Sequence, residues 1–271
     1  MTRTHTAAVM LLALLYGGWV AANTNDPPPL NETLAAIDHA ARHYSSQALR
    51  FTSDEKIVLK RGSRTETHRF RHIYVVDARG KHSELRAPVN RRQNPDAVGM
   101  TTPYNWIFLF ESGRRDYVDY EWVGIEQRLG RVAIGVAFCP RGPVVPKLND
   151  WYGVAWFDRD TYLPLVVEAW SPAEYARKLE LEDRLARAAG QSRRSRSTHM
   201  VTSVRAEFRE ERNGLRLPTR VTLRETRFVV WGRRGTSGYR EQTMSSVKQS
   251  YTNYRFYDVE TEQPAFENDP G

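Results

Sequence analysis

Residues 215–226 read LRLPTRVTLRET, and their alternation decides the fold. Leu215, Leu217, Thr219, Val221 and Leu223 share one parity, while Arg216, Arg220 and Arg224 share the other. Successive side chains of a β-strand point to opposite faces, so the segment presents an apolar side and a basic side. Asn213-Gly214 stands immediately before it. That dipeptide suits the two positive-φ positions of a tight hairpin turn, so two long strands are expected to meet there.

The same period of two runs through most of the chain. KIVLKRG from residue 56 and HRFRHIYVVDARG from residue 68 read as strands, and a short strand at most begins the polar stretch from residue 82. YNWIFLFES, residues 104–112, reads as a strongly apolar strand. Residues 116–140 read as two long strands about a turn at Leu129-Gly130, and residues 152–170 repeat the hairpin about Asp158 to Tyr162. TRFVVWG, from residue 226, either prolongs the strand after Gly214 or starts another, and residues 238–261 give a last long strand. With no helix-length interruption in the first run of strands, neighbours are expected to be antiparallel.

Two helices accompany the strands. Asn31 is placed to cap a helix over 32–49, in which Leu34, Ile37, Ala41 and Tyr44 recur at helical spacing. Ser171, Pro172 and Glu174 form the start signal of a second helix that Gly190 ends. The basic, Ser-rich loop GQSRRSRSTH follows it. The expected fold is mainly β with helices: a curved antiparallel half-barrel sheet of about eleven strands, covered on its concave face by helices.

The 271 residues suffice for one large β domain, and 40% hydrophobic residues are compatible with a packed core. The 27% charged fraction and mean hydropathy of −0.61 exclude a multi-span helical membrane protein. Arg3 and His5, the apolar run 7–15 and the small residues 20–22 make a secretory signal, with cleavage expected between Ala22 and Asn23. The expected organisation is signal 1–22, flexible leader 23–30, one β domain 31–262 with an insertion at 171–199, and a disordered tail 263–271. Cys139 is the single cysteine, so no internal disulfide forms, and its place at the end of an apolar strand suits an inert thiol. A net charge of +8 draws the protein toward anionic surfaces, and export turns that attraction away from nucleic acid.

Three stretches resemble the periplasmic lipoprotein-carrier superfamily, the Lol-type localisation factors and outer-membrane lipoprotein-sorting proteins. GRVAIGVAFCP followed by YGVAWFDRDTYLPLVVEAW is similar to the paired strands of that group with their WFD-x-x-T turn. NGLRLPTRVTLRE is similar to its G-x-x-LP strand, and YTNYRFYDVETE to its closing strand. The resemblance spans about residues 31–262, with 171–199 as an insertion. It implies a half-open barrel that holds acyl chains or other lipid between sheet and helices.

Catalytic signatures are missing: no G-x-S-x-G, H-E-x-x-H, P-loop or dinucleotide fingerprint occurs, and no enzyme or cofactor is expected. His68 and His72 share strand parity but stand about 13 Å apart, too far for one zinc ion, and Asp77 has the opposite parity. His39 and His43 lie at i,i+4 on a helix without a third ligand, so no metal is expected. Asp158 and Asp160 are explained by turn chemistry. The aromatics offer more. Tyr104, Trp106, Phe108, Phe110, Tyr120, Trp122 and Trp156, with Leu217 and Val221, either fill a core or line an apolar cavity. Burying 300 Å² of acyl chain at about 25 cal/mol per Å² gains roughly 7 kcal/mol before entropy costs. Arg193, Arg194, Arg196, Arg216, Arg220 and Arg224 form a candidate site for an anionic surface. The expected function is an exported, periplasmic binder or carrier of a lipid or lipidated protein, with an anionic membrane or envelope protein as further partner. The alternative is an envelope module that binds an anionic polymer or protein through its basic sheet face, with no cavity.

Overall fold

In the computed structural model, residues 28–47, 50–76, 82–90, 103–141, 151–171, 195–233 and 236–257 are described. Helix α1 (Leu30–Gln47) precedes strands β1 (Arg50–Arg61), β2 (Arg64–Val76) and β3 (His82–Pro88). A short helix α2 (Asn105–Phe108) and a 3-10 turn (Ser112–Arg114) come next. Then follow β4 (Val118–Arg128), β5 (Arg131–Pro140), β6 (Tyr152–Asp158), β7 (Pro164–Trp170), β8 (Ser195–Arg212), β9 (Leu215–Arg233) and β10 (Thr236–Phe256).

These strands make one curved, open half-barrel sheet in the order β3-β2-β1-β10-β9-β8-β7-β6-β5-β4. Every neighbouring pair is antiparallel. Among the described residues, the first and last strands, β1 and β10, pair inside the sheet. Consecutive strands β3 and β4 form its two opposite edges. The chain between them must return from one edge to the other, and its described part, 103–117, packs on the inner face together with α1. The cover of the sheet is thus a consequence of its topology.

The apolar stripe expected on α1 faces the sheet: Leu34, Ile37, Ala41 and Tyr44 are all buried. The helix starts at Leu30, ahead of the expected cap Asn31, and is described to Gln47, while residues 48 and 49 of its expected end lie outside the described residues. Both tight hairpins form at the expected places, with positive φ at Leu129 and Gly130 and at Asn213 and Gly214. Asn and Gly take that conformation readily, whereas a bulky residue such as Leu129 pays for it in steric strain.

Three expectations need correction, and one open alternative is decided. The stretch 104–112 is not a strand: Asn105–Phe108 is helical, Ser112–Arg114 is a 3-10 turn, and the sheet has ten strands among the described residues. Its apolar residues occur consecutively, and such a run does not separate a buried strand from a buried helical turn by periodicity. Second, β8 begins at Ser195, so the end of the expected basic loop is strand paired with β9. Third, the segment 226–232 prolongs β9 and starts no new strand. Fourth, Arg216 is not on a solvated basic surface, as described below. The second expected helix, most of the insertion, the signal and the tail lie outside the described residues.

Candidate functional site

The inner face carries a large apolar cluster. Phe51 on β1 stacks on Tyr74 of β2 at 5.5 Å, and Tyr74 meets Tyr104 of the crossing segment at 4.6 Å. Phe110 meets Phe157 of β6 edge-on at 4.9 Å, and Trp106 meets Trp151 at 5.5 Å. Of the expected lining residues, Tyr104, Trp106, Phe108, Phe110, Leu217 and Val221 are buried in this one cluster, and Tyr120 and Trp122 pack against it half-buried. Phe51, Tyr74 and Phe157 of the sheet are at most 2% exposed, so the layer is closed over by its cover. Trp156 does not belong to it. It lies in a separate outer cluster with Ala137, Val154 and Val166, its indole pressed on Gly135 and under the Arg128 guanidinium. The parity of Trp156 relative to its neighbours was readable from sequence, but the face that parity pointed to was set by the pairing of β5 with β6.

Several polar bonds of the described residues position the cover. Ser112 N–H donates to Asp38 Oδ1 of α1 at 2.8 Å, and Tyr120 OH donates to the Leu109 carbonyl. Tyr44 binds the backbone of Arg216 twice: Arg216 N–H donates to its hydroxyl at 2.8 Å, and the hydroxyl donates to the Arg216 carbonyl at 2.5 Å. The place is significant. Pairing of β9 with β10 stops at Arg220 and Ser250, after which β10 continues beside β1 alone. The backbone of residues 216–218 therefore faces a seam where β9 has no strand partner on that side. Tyr44 satisfies Arg216, while Pro218 brings no N–H and its carbonyl accepts from Tyr254 OH. Burial raises the pKa of both phenols far above the usual tyrosine range, so they remain protonated donors.

Arg216 sends its guanidinium to the outer side of the sheet, where it is buried against Asp158 Oδ2 at 3.3 Å and reaches Glu211 at 3.0 Å. Arg131 meets the same Asp158 oxygen at 3.0 Å. Asp158 Oδ1 accepts N–H bonds from Asp160 and Thr161, so this carboxylate builds the β6–β7 turn, as its sequence context suggests. Burial alone would lift its pKa, but the two N–H donors and the Arg216 and Arg131 guanidiniums outweigh burial and hold it below the usual range. Two of the sequence motifs, the WFD turn and the GLRLP strand, are locked together by this ion pair.

A polar row on the inner face had no sequence signal. Glu55 on β1 is bound through both oxygens by Arg86 of β3, at 2.7 and 3.2 Å, and receives Gln249 Nε2 of β10 at 3.1 Å. His72 Nε2 lies 3.2 Å from Glu84 Oε2, and its Nδ1 lies 3.5 Å from Ser53 Oγ. Burial works against the Arg86 cation, but its bonds to Glu55 prevail and raise its pKa. Ser53, His72 and Glu84 are the residue types of a nucleophile triad. The Ser–His separation is at the limit of a hydrogen bond, Glu84 is shared with Arg86, and Tyr104 stacks over the imidazole. The row satisfies buried polar groups. Its members come from four strands, the consecutive β1, β2 and β3 and the distant β10, and strand pairing brings them together.

Of the expected basic residues, Arg220 and Arg224 are exposed on the outer face. Arg193 and Arg194 lie outside the described residues, and Arg196 is placed only by its pairing with Trp231 in β8 and β9. His39 is exposed on α1, and His43 lies over the Asn213-Gly214 turn. Among the described residues no group of three metal-ligating side chains comes together. Burial, with the Asp119 carboxylate, pushes the Cys139 thiol up to about 11, which keeps it unreactive near neutral pH.

No protein-family model and no curated protein matches the sequence. Solved structures similar in layout include a LolA superfamily protein from Nitrosomonas europaea, with 9% identity, a TM-score of 0.41, and coverage of 83% of this chain and 94% of that one. A DUF1329 family protein from Desulfovibrio piger has 14% identity, a TM-score of 0.47, and coverage of 89% and 98%. An outer-membrane lipoprotein-sorting protein domain from Vibrio parahaemolyticus has 12% identity, a TM-score of 0.47, and coverage of 88% and 95%. The LolA superfamily and the lipoprotein-sorting proteins are the kinds that the three strand motifs resemble. What those proteins bind is a property of theirs, and at such identities and scores it is not carried over to this chain.

Proposed function

We propose that the chain is an exported, non-catalytic binder and carrier of a hydrophobic ligand, a lipid or the acyl chain of a lipidated protein, working in the periplasm. One observation carries this reading. The apolar inner layer of an open sheet is covered by α1 and the 103–117 crossing, which form no strand of the sheet and whose bonds to it include those of Tyr44 and Tyr120. Lifting such a cover breaks no strand pairing, and a chain entering beneath it exchanges protein–protein for protein–ligand apolar contact at little net cost. Trp106 Nε1 in the cover is buried without a hydrogen-bond partner, an uncompensated donor that a ligand carbonyl or ester would satisfy.

The test uses purified full-length protein from membranes, native mass spectrometry, and fluorescence uptake of N-phenyl-1-naphthylamine. Co-purified lipid, with probe uptake that survives high salt, is the expected result. Absence of both lipid and probe uptake overturns the proposal. Association with an anionic partner that is lost in salt, without any apolar ligand, would instead support an interaction module with a filled interior.

A further inference from the structure

The outer face of the four strands β2, β1, β10 and β9 carries an ordered array of cations. Pairing aligns three cross-strand rows: one through Lys60 and Arg224, one through Lys248, and one through Arg69, Lys56 and Arg220. These six residues are all exposed. The remaining positions of the rows hold Ser or Thr, apart from Val58, and no carboxylate stands among them. Lys56, Lys60, Lys248, Arg220 and Arg224 have no ion pair among the described residues. The nearest acids at the rim are already engaged: Glu207 by Arg205 and Arg209, and Asp54 by Asn253. Arginine bonds outweigh burial and hold the Glu207 carboxyl below its usual pKa.

Such an array is not what a merely solvated sheet face requires. Like charges close together across strands destabilise a sheet, and ordinary surfaces intersperse both signs. Protection of an exposed edge does not account for it either, because β1, β10 and β9 are central strands. The array extends in two dimensions, about 14 Å across the strands and about 13 Å along them. It has no groove-forming register break within the three rows and no aromatic platform, the features that suit a linear polymer or single-stranded nucleic acid. We propose that this face docks the protein on an anionic phospholipid surface, with the lysine and arginine charges meeting phosphates and the interleaved hydroxyls donating to them. The proposal is independent of the apolar ligand, because the array lies on the opposite face of the sheet from the covered layer.

The experiment is co-sedimentation of full-length protein with vesicles of phosphatidylcholine alone or phosphatidylcholine with phosphatidylglycerol. Wild-type protein is expected to sediment only with the anionic vesicles, and less so as salt rises. The variant K56Q/K248Q/R220Q is expected to partition on the order of 100-fold more weakly, since each basic residue near such a surface contributes about a fivefold gain. The charge-conserving variant K56R/K248R/R220K should bind like wild type, and unchanged thermal melting of the glutamine variant shows that its fold is intact. Equal binding to zwitterionic vesicles, or undiminished binding by the folded glutamine variant, would overturn the proposal. So would capture of soluble polyphosphate with no vesicle binding. Failure of the wild-type protein to bind anionic vesicles, with normal probe uptake, would sink the docking face and leave the ligand reading standing.

Discussion

Arg86 and Arg216 show how differently two arginines of similar sequence context are spent. Arg86 lies on the edge strand β3, yet its guanidinium is turned inward and neutralises Glu55, whose side chain is fully buried. Removing one partner of such a pair leaves an isolated buried charge. Arg86→Ala is therefore expected to cost about 3–5 kcal/mol, read from denaturant unfolding, whereas the same change at exposed Arg224 should fall within about 0.5 kcal/mol. At Asp158 the effect is visible in pH. Its folded pKa is depressed below the ordinary aspartate value of 3.8, so its contribution is fully present above that value and is lost as pH falls through the folded pKa. Wild-type stability should thus fall steeply below about pH 4, with Glu207 adding in the same direction. Asp158→Asn should be less stable at neutral pH and show a shallower acid slope. An Asn variant with the wild-type slope would refute the assignment.

At the scale of elements, α1 is more than a lid resting on grease. Its apolar stripe supplies the contact, but Tyr44 supplies the register, because its hydroxyl serves both backbone groups of Arg216 at the β9–β10 seam. Tyr44→Phe keeps the ring and strands a buried N–H and C=O. A loss of about 2 kcal/mol is expected, with faster amide exchange in α1 and increased uptake of an apolar probe. Unaltered exchange in α1 would show that the hydroxyl is not what holds the cover. The β6 strand has a different constraint. A Cβ at Gly153 would stand 2.2 Å from the Glu168 carbonyl and 2.6 Å from the Phe138 ring. Gly153→Ala must push backbone apart, and a loss of about 1–3 kcal/mol in thermal or denaturant unfolding is expected.

For the whole molecule, the pairing of β1 with β10 makes the sheet one cooperative unit, since β10, far along the chain from β1, sits between β1 and β9. A chain ending at residue 235 should show no cooperative thermal transition, because β1–β3 would be left as a separate ribbon without its main neighbour. The sequence by itself determined the strands with one wet and one dry face, the helix stripe of Leu34, Ile37, Ala41 and Tyr44, and the hairpins at Leu129-Gly130 and Asn213-Gly214. These are local: a period of two or of 3.6, or a φ that few residues tolerate, is written within a few positions of the chain. Tertiary structure alone decided that 104–110 covers the sheet instead of joining it, that Trp156 faces outward, and that Arg216 is buried while Arg220 and Arg224 stay in water. It also assembled Glu55, His72, Glu84, Arg86 and Gln249 into one row. Those outcomes depend on which strand lies beside which, and on where β10 parts from β9. A side chain's parity names its face only after the partner on that face is known, and that partner is often more than a hundred residues away.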